Sequence, residues 1–151
     1  MFPLNLPPYN FRIQEKEGKK LIFDRLRKRY VALTPEEWVR QNFVEFLIAE
    51  KGFPAARMGN EISLQHNGLK KRCDTVVYTG GGEPLLIAEF KAPGIDISQA
   101  TFDQISRYVT QLKVSYLLIS NGLNHYCCRL DYSTMQMSYL PDIPDYKEIN
   151  F

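Results

Sequence analysis

The sequence predicts an α/β fold: a mixed central sheet flanked by helices, with a short N-terminal hairpin before it and a β extension after it. Three observations predict it. A capped helical pattern starts at Thr34, the apolar spacing changes from helical to alternating near residue 60, and a second helical pattern stands between two short apolar runs that read as strands.

Residues 10–14 and 20–24 pair as a hairpin joined through Gly18. Thr34 then caps a helix, with Pro35 in its first turn and Glu37 three residues after the cap, the spacing of a capping box. The helix runs to about Lys51 and stops at Gly52. Val39, Phe43, Phe46 and Leu47 form one stripe and Val44 and Ile48 a second flank, so it is covered on more than one side. Ile62 and Leu64 alternate with polar residues, Asn67-Gly68 makes a hairpin turn, and a strand follows from Leu69 to Tyr78. After a glycine-rich loop, Leu85 to Lys91 reads as a third strand, apolar enough to be central and stopped by Ala92-Pro93-Gly94. Residues 98–112 form a helix with Phe102, Ile105, Val109 and Leu112 on one face. Residues 114–120 form a buried strand, and Asn121-Gly122 turns the chain into strands near 125–130 and 135–140. Prolines near both ends mark arms laid on one domain, residues 1–151, with a core over about 34–130.

Composition sets limits. A chain of 151 residues fits one domain, and 44% hydrophobic with 24% charged residues excludes disorder. The longest apolar runs, such as Tyr116-Leu117-Leu118-Ile119, fall far short of the roughly 20 residues that span a bilayer. Residues 1–8 have neither the basic start nor the apolar run of a secretory signal, so the expected setting is cytoplasmic. Cys73, Cys127 and Cys128 lack CxxC spacing and read as buried thiols, while His66 and His125 start no zinc pattern. The net charge of +2 is too small to announce a nucleic-acid binder, but its distribution is uneven. Arg25, Arg27, Lys28, Arg29 and the cluster Lys70-Lys71-Arg72 concentrate positive charge in the first half of the chain. They suit a phosphate backbone, and equally a solvated basic face.

One group of residues carries chemistry. Glu89 and Lys91 share a side of a central strand, an expensive place for charge unless it is paired or holds an ion. If the meander pairs its strands, Asp74 lies beside Glu89, and two carboxylates that close repel unless a cation sits between them. Hard oxygen ligands beside a phosphate substrate favour Mg²⁺. A structural ion pair is the competing reading of Asp74, Glu89 and Lys91.

Asp74, then Glu89-Phe90-Lys91, then Gln104 and Tyr108, resemble the PD-(D/E)xK nuclease pattern with the QxxxY motif of RecB-like and type I restriction nucleases. Cys73 stands where the motif has proline. With Thr34-Pro35-Glu36-Glu37-Trp38, Lys71-Arg72-Cys73-Asp74, Ile87-Ala88-Glu89-Phe90-Lys91-Ala92-Pro93 and Ser120-Asn121-Gly122, residues from about 20 to 125 resemble the N-terminal nuclease domain of type I restriction enzyme R subunits. The resemblance implies a restriction-endonuclease-like fold and Mg²⁺-dependent endonuclease activity on DNA, with Mn²⁺ as substitute. Asp74, Glu89 and the Phe90 carbonyl would be the metal ligands. Lys91 would orient or deprotonate the attacking water, and Gln104 and Tyr108 would contact DNA or hold Lys91 and Glu89. Glu37 matches a family carboxylate that completes the site, and equally a capping-box partner. No GxxxxGK[ST] loop occurs, so the chain has no ATP site, and a separate ATP-dependent translocase or specificity subunit is an implied partner. A DNA-binding module without turnover and a structural assembly protein are the alternatives.

Overall fold

Two Xaa-Gly pairs organise the antiparallel part of the chain. Glu17 and Gly18 (φ 52° and 77°) and Asn67 and Gly68 (φ 48° and 84°) both adopt the left-handed backbone that a two-residue hairpin requires. The computed structural model describes residues 1–150. The first pair joins β1 (Ile13–Lys16) to β2 (Lys19–Asp24), and the second joins β4 (Met58–His66) to β5 (Leu69–Tyr78). The expected N-terminal hairpin is therefore present with shifted ends, and it gains a third strand, β3 (Arg29–Ala32), paired antiparallel with β2. The basic run from Arg25 to Arg29 hides that strand, because its first four residues are turn and the ladder that follows is short.

Between this small sheet and β4 lies α1 (Pro35–Lys51). The Thr34 side chain accepts from the Glu37 N–H at its start, and Gly52 ends it at φ 71°. The rest of the main sheet comprises β6 (Pro84–Phe90), β7 (Tyr116–Ser120), β8 (His125–Asp131) and β9 (Gln136–Leu140), in the spatial order β4-β5-β6-β7-β8-β9. Only β6 and β7 run parallel, and their crossover is α2 (Gln99–Gln111). The expected mixed sheet with a C-terminal β extension is what forms. Beyond the extension, α3 (Tyr146–Ile149) tucks Tyr146 and Ile149 into the core, where the sequence predicts only an arm.

The helices cover opposite faces, so β6 and β7 are buried on both sides. On one face Val39, Phe43, Val44 and Leu47 of α1 meet Val77, Leu86, Ala88, Phe90 and Leu118. On the other, Phe102, Ile105 and Val109 of α2 meet Cys73, Val76, Ile87, Leu117 and Ile119. Burying each of the larger side chains contributes about 1.5–3 kcal/mol. The two packed layers hold the middle of β5 and the end of β6, where Asp74 and Glu89 sit, between α1 and α2. Among the described residues no helix is long and apolar enough to cross a membrane.

Candidate active site

The ladder between β5 and β6 stops at the Thr75–Ala88 pair, one residue short of the two acids. Side chains make the next rung. The Asp74 N–H donates to Glu89 Oε2 (2.8 Å), and the Phe90 N–H donates to Asp74 Oδ2 (2.8 Å). Each carboxylate thus bonds to the main chain of the other strand and the two lie side by side. By alternation Glu89 shares the face of Ile87 and looks toward α2, where the Tyr108 hydroxyl donates to its Oε1. Asp74 Oδ1 accepts no hydrogen bond among the described residues.

Glu89 is only 6% exposed. Burial first, and then the Asp74 charge, push its carboxyl up to about 9. A buried acid pair in that state needs one positive charge, met by a proton or by a cation. Lys71 supplies part of one from a distance. Its ammonium lies 5.0 Å from the centre of the Tyr108 ring and lowers the Glu89 value. Lys91 follows the last residue of β6 instead of standing inside the strand, and its N–H donates to the Ser120 carbonyl (2.9 Å). Its ammonium has no ion-pair partner among the described residues, and its charge acts on Glu36 at the start of α1.

Glu36 is the acid that the sequence reading passed over. Partial desolvation and the Asp74 charge raise its carboxyl, while Lys91 and Arg40 act the other way. Glu37 faces inward instead. Its N–H satisfies the Thr34 cap, and its carboxylate accepts from Arg27 Nη2 (2.7 Å), Arg40 Nη2 (2.6 Å), Arg40 Nε (2.9 Å) and Gln41 Nε2 (2.9 Å). Both oxygens are occupied, so Glu37 holds the helix to its surroundings. The signal was available in the sequence: Arg40 and Gln41 stand three and four residues on, the spacing that engages a helical carboxylate. Glu61 is a second acid not singled out. It stands across from Asp74 in β4 at φ 56°, where pairing lapses between Asn60–Thr75 and Ile62–Cys73, and its carboxylate is 3.7 Å from Arg40.

Tyr108 belongs to the assembled group, while Gln104, one turn earlier on α2, is exposed. The basic residues separate. Arg25 pairs with Glu45 (2.9 Å), and Arg27 turns inward onto Asp24 and Glu37. Lys71 sits over Tyr108, and Arg72 lies 3.9 Å from Glu61. Lys28, Arg29 and Lys70 remain exposed and without an ion pair among the described residues. A cleft of about 750 Å³ opens at the start of α1, bordered by Arg29, Glu36, Arg40, Glu61 and Ala92, and neither Asp74 nor Glu89 lines it. Asn121 fixes the loop after Lys91. Its Nδ2 donates to the Ile95 carbonyl (2.8 Å), and its Oδ1 accepts from the Leu123 and Asn124 N–H groups. Cys73 is a buried free thiol beside Asp74, pushed up to about 12 by burial and the Glu89 charge.

The donor set fits a hard divalent cation. Two carboxylates lie side by side, one oxygen is free, and no further His, Cys, Asp or Glu among the described residues closes a cage around them. Mg²⁺ is held in such sites by one or two carboxylates and keeps much of its water.

The acids behind the site predict an acid-sensitive fold. Burial raises Asp24 and Glu37, but hydrogen bonds outweigh it: from the Arg27 N–H and Asn60 for Asp24, and from Arg40, Gln41 and Arg27 for Glu37. Both end below their ordinary values. A depressed carboxyl stabilises above its unfolded pKa, and that stability is lost as pH falls through the folded value. The unfolding free energy of the parent minus that of Glu37→Gln is therefore expected to shrink by about 1–2 kcal/mol between pH 6 and pH 3. Urea midpoints measure it, and parallel acid limbs would contradict it.

No curated protein matches this chain. Among solved structures, a fragment described as an HsdR subunit of a type I restriction enzyme from Vibrio vulnificus YJ016 is similar at a TM-score of 0.55 and 19% identity. The match covers 78% of this chain and 24% of that one, and it shows that the two share a fold. Residues 35–144, from the start of α1 to just past β9, match the type I restriction enzyme R protein N terminus. That segment holds both acids, Lys91 and Tyr108, and by its extent the chain belongs to the family of type I restriction enzyme R protein N termini.

Proposed function

We propose that this domain is a Mg²⁺-dependent DNA endonuclease of the PD-(D/E)xK kind, serving restriction. The observation that carries the reading is the end of the β5–β6 ladder, where Asp74 and Glu89 replace a backbone rung and Lys91 follows directly. Asp74 and Glu89, with the Phe90 carbonyl, would hold the cation, and Mn²⁺ would serve in its place. When bound, a divalent cation polarises a phosphate and lowers the pKa of water. Lys91 offsets phosphate charge and orients the attacking water. Tyr108 keeps Glu89 turned toward Asp74, and Gln104 meets the strand from the exposed face of α2. Of the expected DNA-contacting residues, Lys28, Arg29 and Lys70, exposed and without an ion pair among the described residues, would contact phosphates, each at a salt-dependent gain in affinity. In a type I system the domain would act together with translocase and specificity functions, in the cytoplasm.

Supercoiled plasmid incubated with Mg²⁺ is expected to be nicked and linearised, and EDTA is expected to stop it. Salt-sensitive binding that is equal in EDTA and yields no product would replace this reading with a DNA-binding module.

A further inference from the structure

The hydrogen bonds around Asp74 can be followed outward, and the path returns to its start. Thr75, the next residue, donates its hydroxyl to Asn60 Oδ1 (2.7 Å), and Asn60 Nδ2 donates to Asp24 Oδ2 (2.9 Å). Arg27 Nε donates to the same Asp24 oxygen, and its Nη2 to Glu37 Oε1 (2.7 Å). Arg40 Nη2 donates to that Glu37 oxygen (2.6 Å), and Arg40 Nη1 returns to the Asp74 carbonyl (2.9 Å). The ring closes on the Asp74 carbonyl and on the side chain of the next residue, Thr75. Asp24, Glu37, Arg40, Asn60 and Thr75 are all buried. Asp24 lies in the three-stranded sheet and Arg27 in the turn between β2 and β3, outside the family segment of residues 35–144.

We propose that Asp24 and Arg27 are positioning residues for Asp74, so that the N-terminal sheet is a working part of the metal site. The assignment rests on the nuclease reading above. Its physical basis is that the β5–β6 ladder stops before Asp74 and the β4–β5 ladder lapses at it, so this residue in the middle of β5 has no backbone ladder partner on either side. The ring supplies the missing restraint at the Asp74 carbonyl and at the side chain of Thr75. Partners that orient a metal ligand typically set affinity or activity over about 10–100-fold.

Arg27→Ala opens the ring without orphaning its neighbours. Asp24 keeps the Leu26 and residue-27 N–H groups and Asn60, and Glu37 keeps Arg40 and Gln41. Thr75→Val opens it at the opposite flank with no change of charge. Manganese titration of the DNA-free protein, followed by electron paramagnetic resonance, reads the effect apart from turnover. Each folded variant is expected to bind Mn²⁺ about tenfold more weakly than the parent. The double variant is expected to lose no more than the worse single, since a ring opened once is already open. In cleavage assays the Mg²⁺ concentration for half-maximal rate rises, while KM for DNA changes little.

A merely structural role predicts lower melting temperatures with parental Mn²⁺ affinity. That outcome, alongside a parent that cuts DNA, overturns this inference and leaves the nuclease reading standing. A parent that binds no Mn²⁺ overturns both. Should Arg27→Ala fail to fold, Thr75→Val and Arg27→Lys decide the question by the same measurement.

Discussion

Glu89→Gln is expected to abolish metal-dependent cleavage and to stabilise the metal-free fold. The amide keeps the shape of the side chain, so its oxygen can still accept from the Asp74 N–H. It cannot carry the negative charge that holds a cation. A fall of about 10³-fold in cleavage rate, about 4 kcal/mol at 1.36 kcal/mol per decade, is the expected loss. Stability moves the other way. Burial and the Asp74 charge raise the folded value of Glu89 to about 9 from an ordinary value of 4.5. For a group raised on folding, the favourable contribution is whole below the unfolded pKa and is lost as pH rises toward the folded one. The variant escapes that loss. In EDTA it is expected to match the parent near pH 4 and to exceed it by about 2 kcal/mol near pH 8, roughly 4–8 °C in Tm. Mg²⁺ is expected to close the gap by stabilising the parent alone. Thermal melts at the two pH values check this, and a gap that does not grow with pH would show that Glu89 bears no such burden.

Arg40→Ala is expected to be the most damaging single change to stability. Arg40 is 8% exposed, and its guanidinium bonds both Glu37 oxygens and the Asp74 carbonyl. Its truncation leaves a buried carboxylate short of two donors and frees the Asp74 carbonyl in the middle of β5. Breaking a buried pair from one side costs about 3–5 kcal/mol. Arg25→Ala is the comparison. Arg25 also pairs with a glutamate of α1, at 2.9 Å, but in the open, where such a pair contributes about 0.2–1 kcal/mol. Urea unfolding of the two variants should therefore separate by several kcal/mol. Equal midpoints would mean that the Glu37 cluster is no better sheltered than the surface.

Much of the architecture is legible in the amino-acid sequence. Thr34, Pro35 and Gly52 mark the ends of α1, because capping and left-handed backbone are local demands that a few adjacent residues satisfy. Asn67-Gly68 sets the β4–β5 hairpin, and strict alternation places Glu89 and Phe90 on opposite faces of β6 for the same reason. The positions of both acids followed from that alternation together with the family pattern.

The partners of the charges were not legible. Arg25, Arg27, Lys28 and Arg29 look alike in the chain, yet one pairs at the surface, one is turned inward and two have no ion pair among the described residues. Glu36 and Glu37 are adjacent, and about 100° of helical rotation sends one toward the site and the other into the Arg27–Arg40 cluster. Sequence by itself determined which elements form, where they stop and which residue types share a face, since those depend on neighbours within a few positions. Tertiary structure alone decided which acid feels the Lys91 charge, where a ladder yields to side chains and which arginine is hidden, because a charge takes its surroundings from whatever distant segment folding sets beside it.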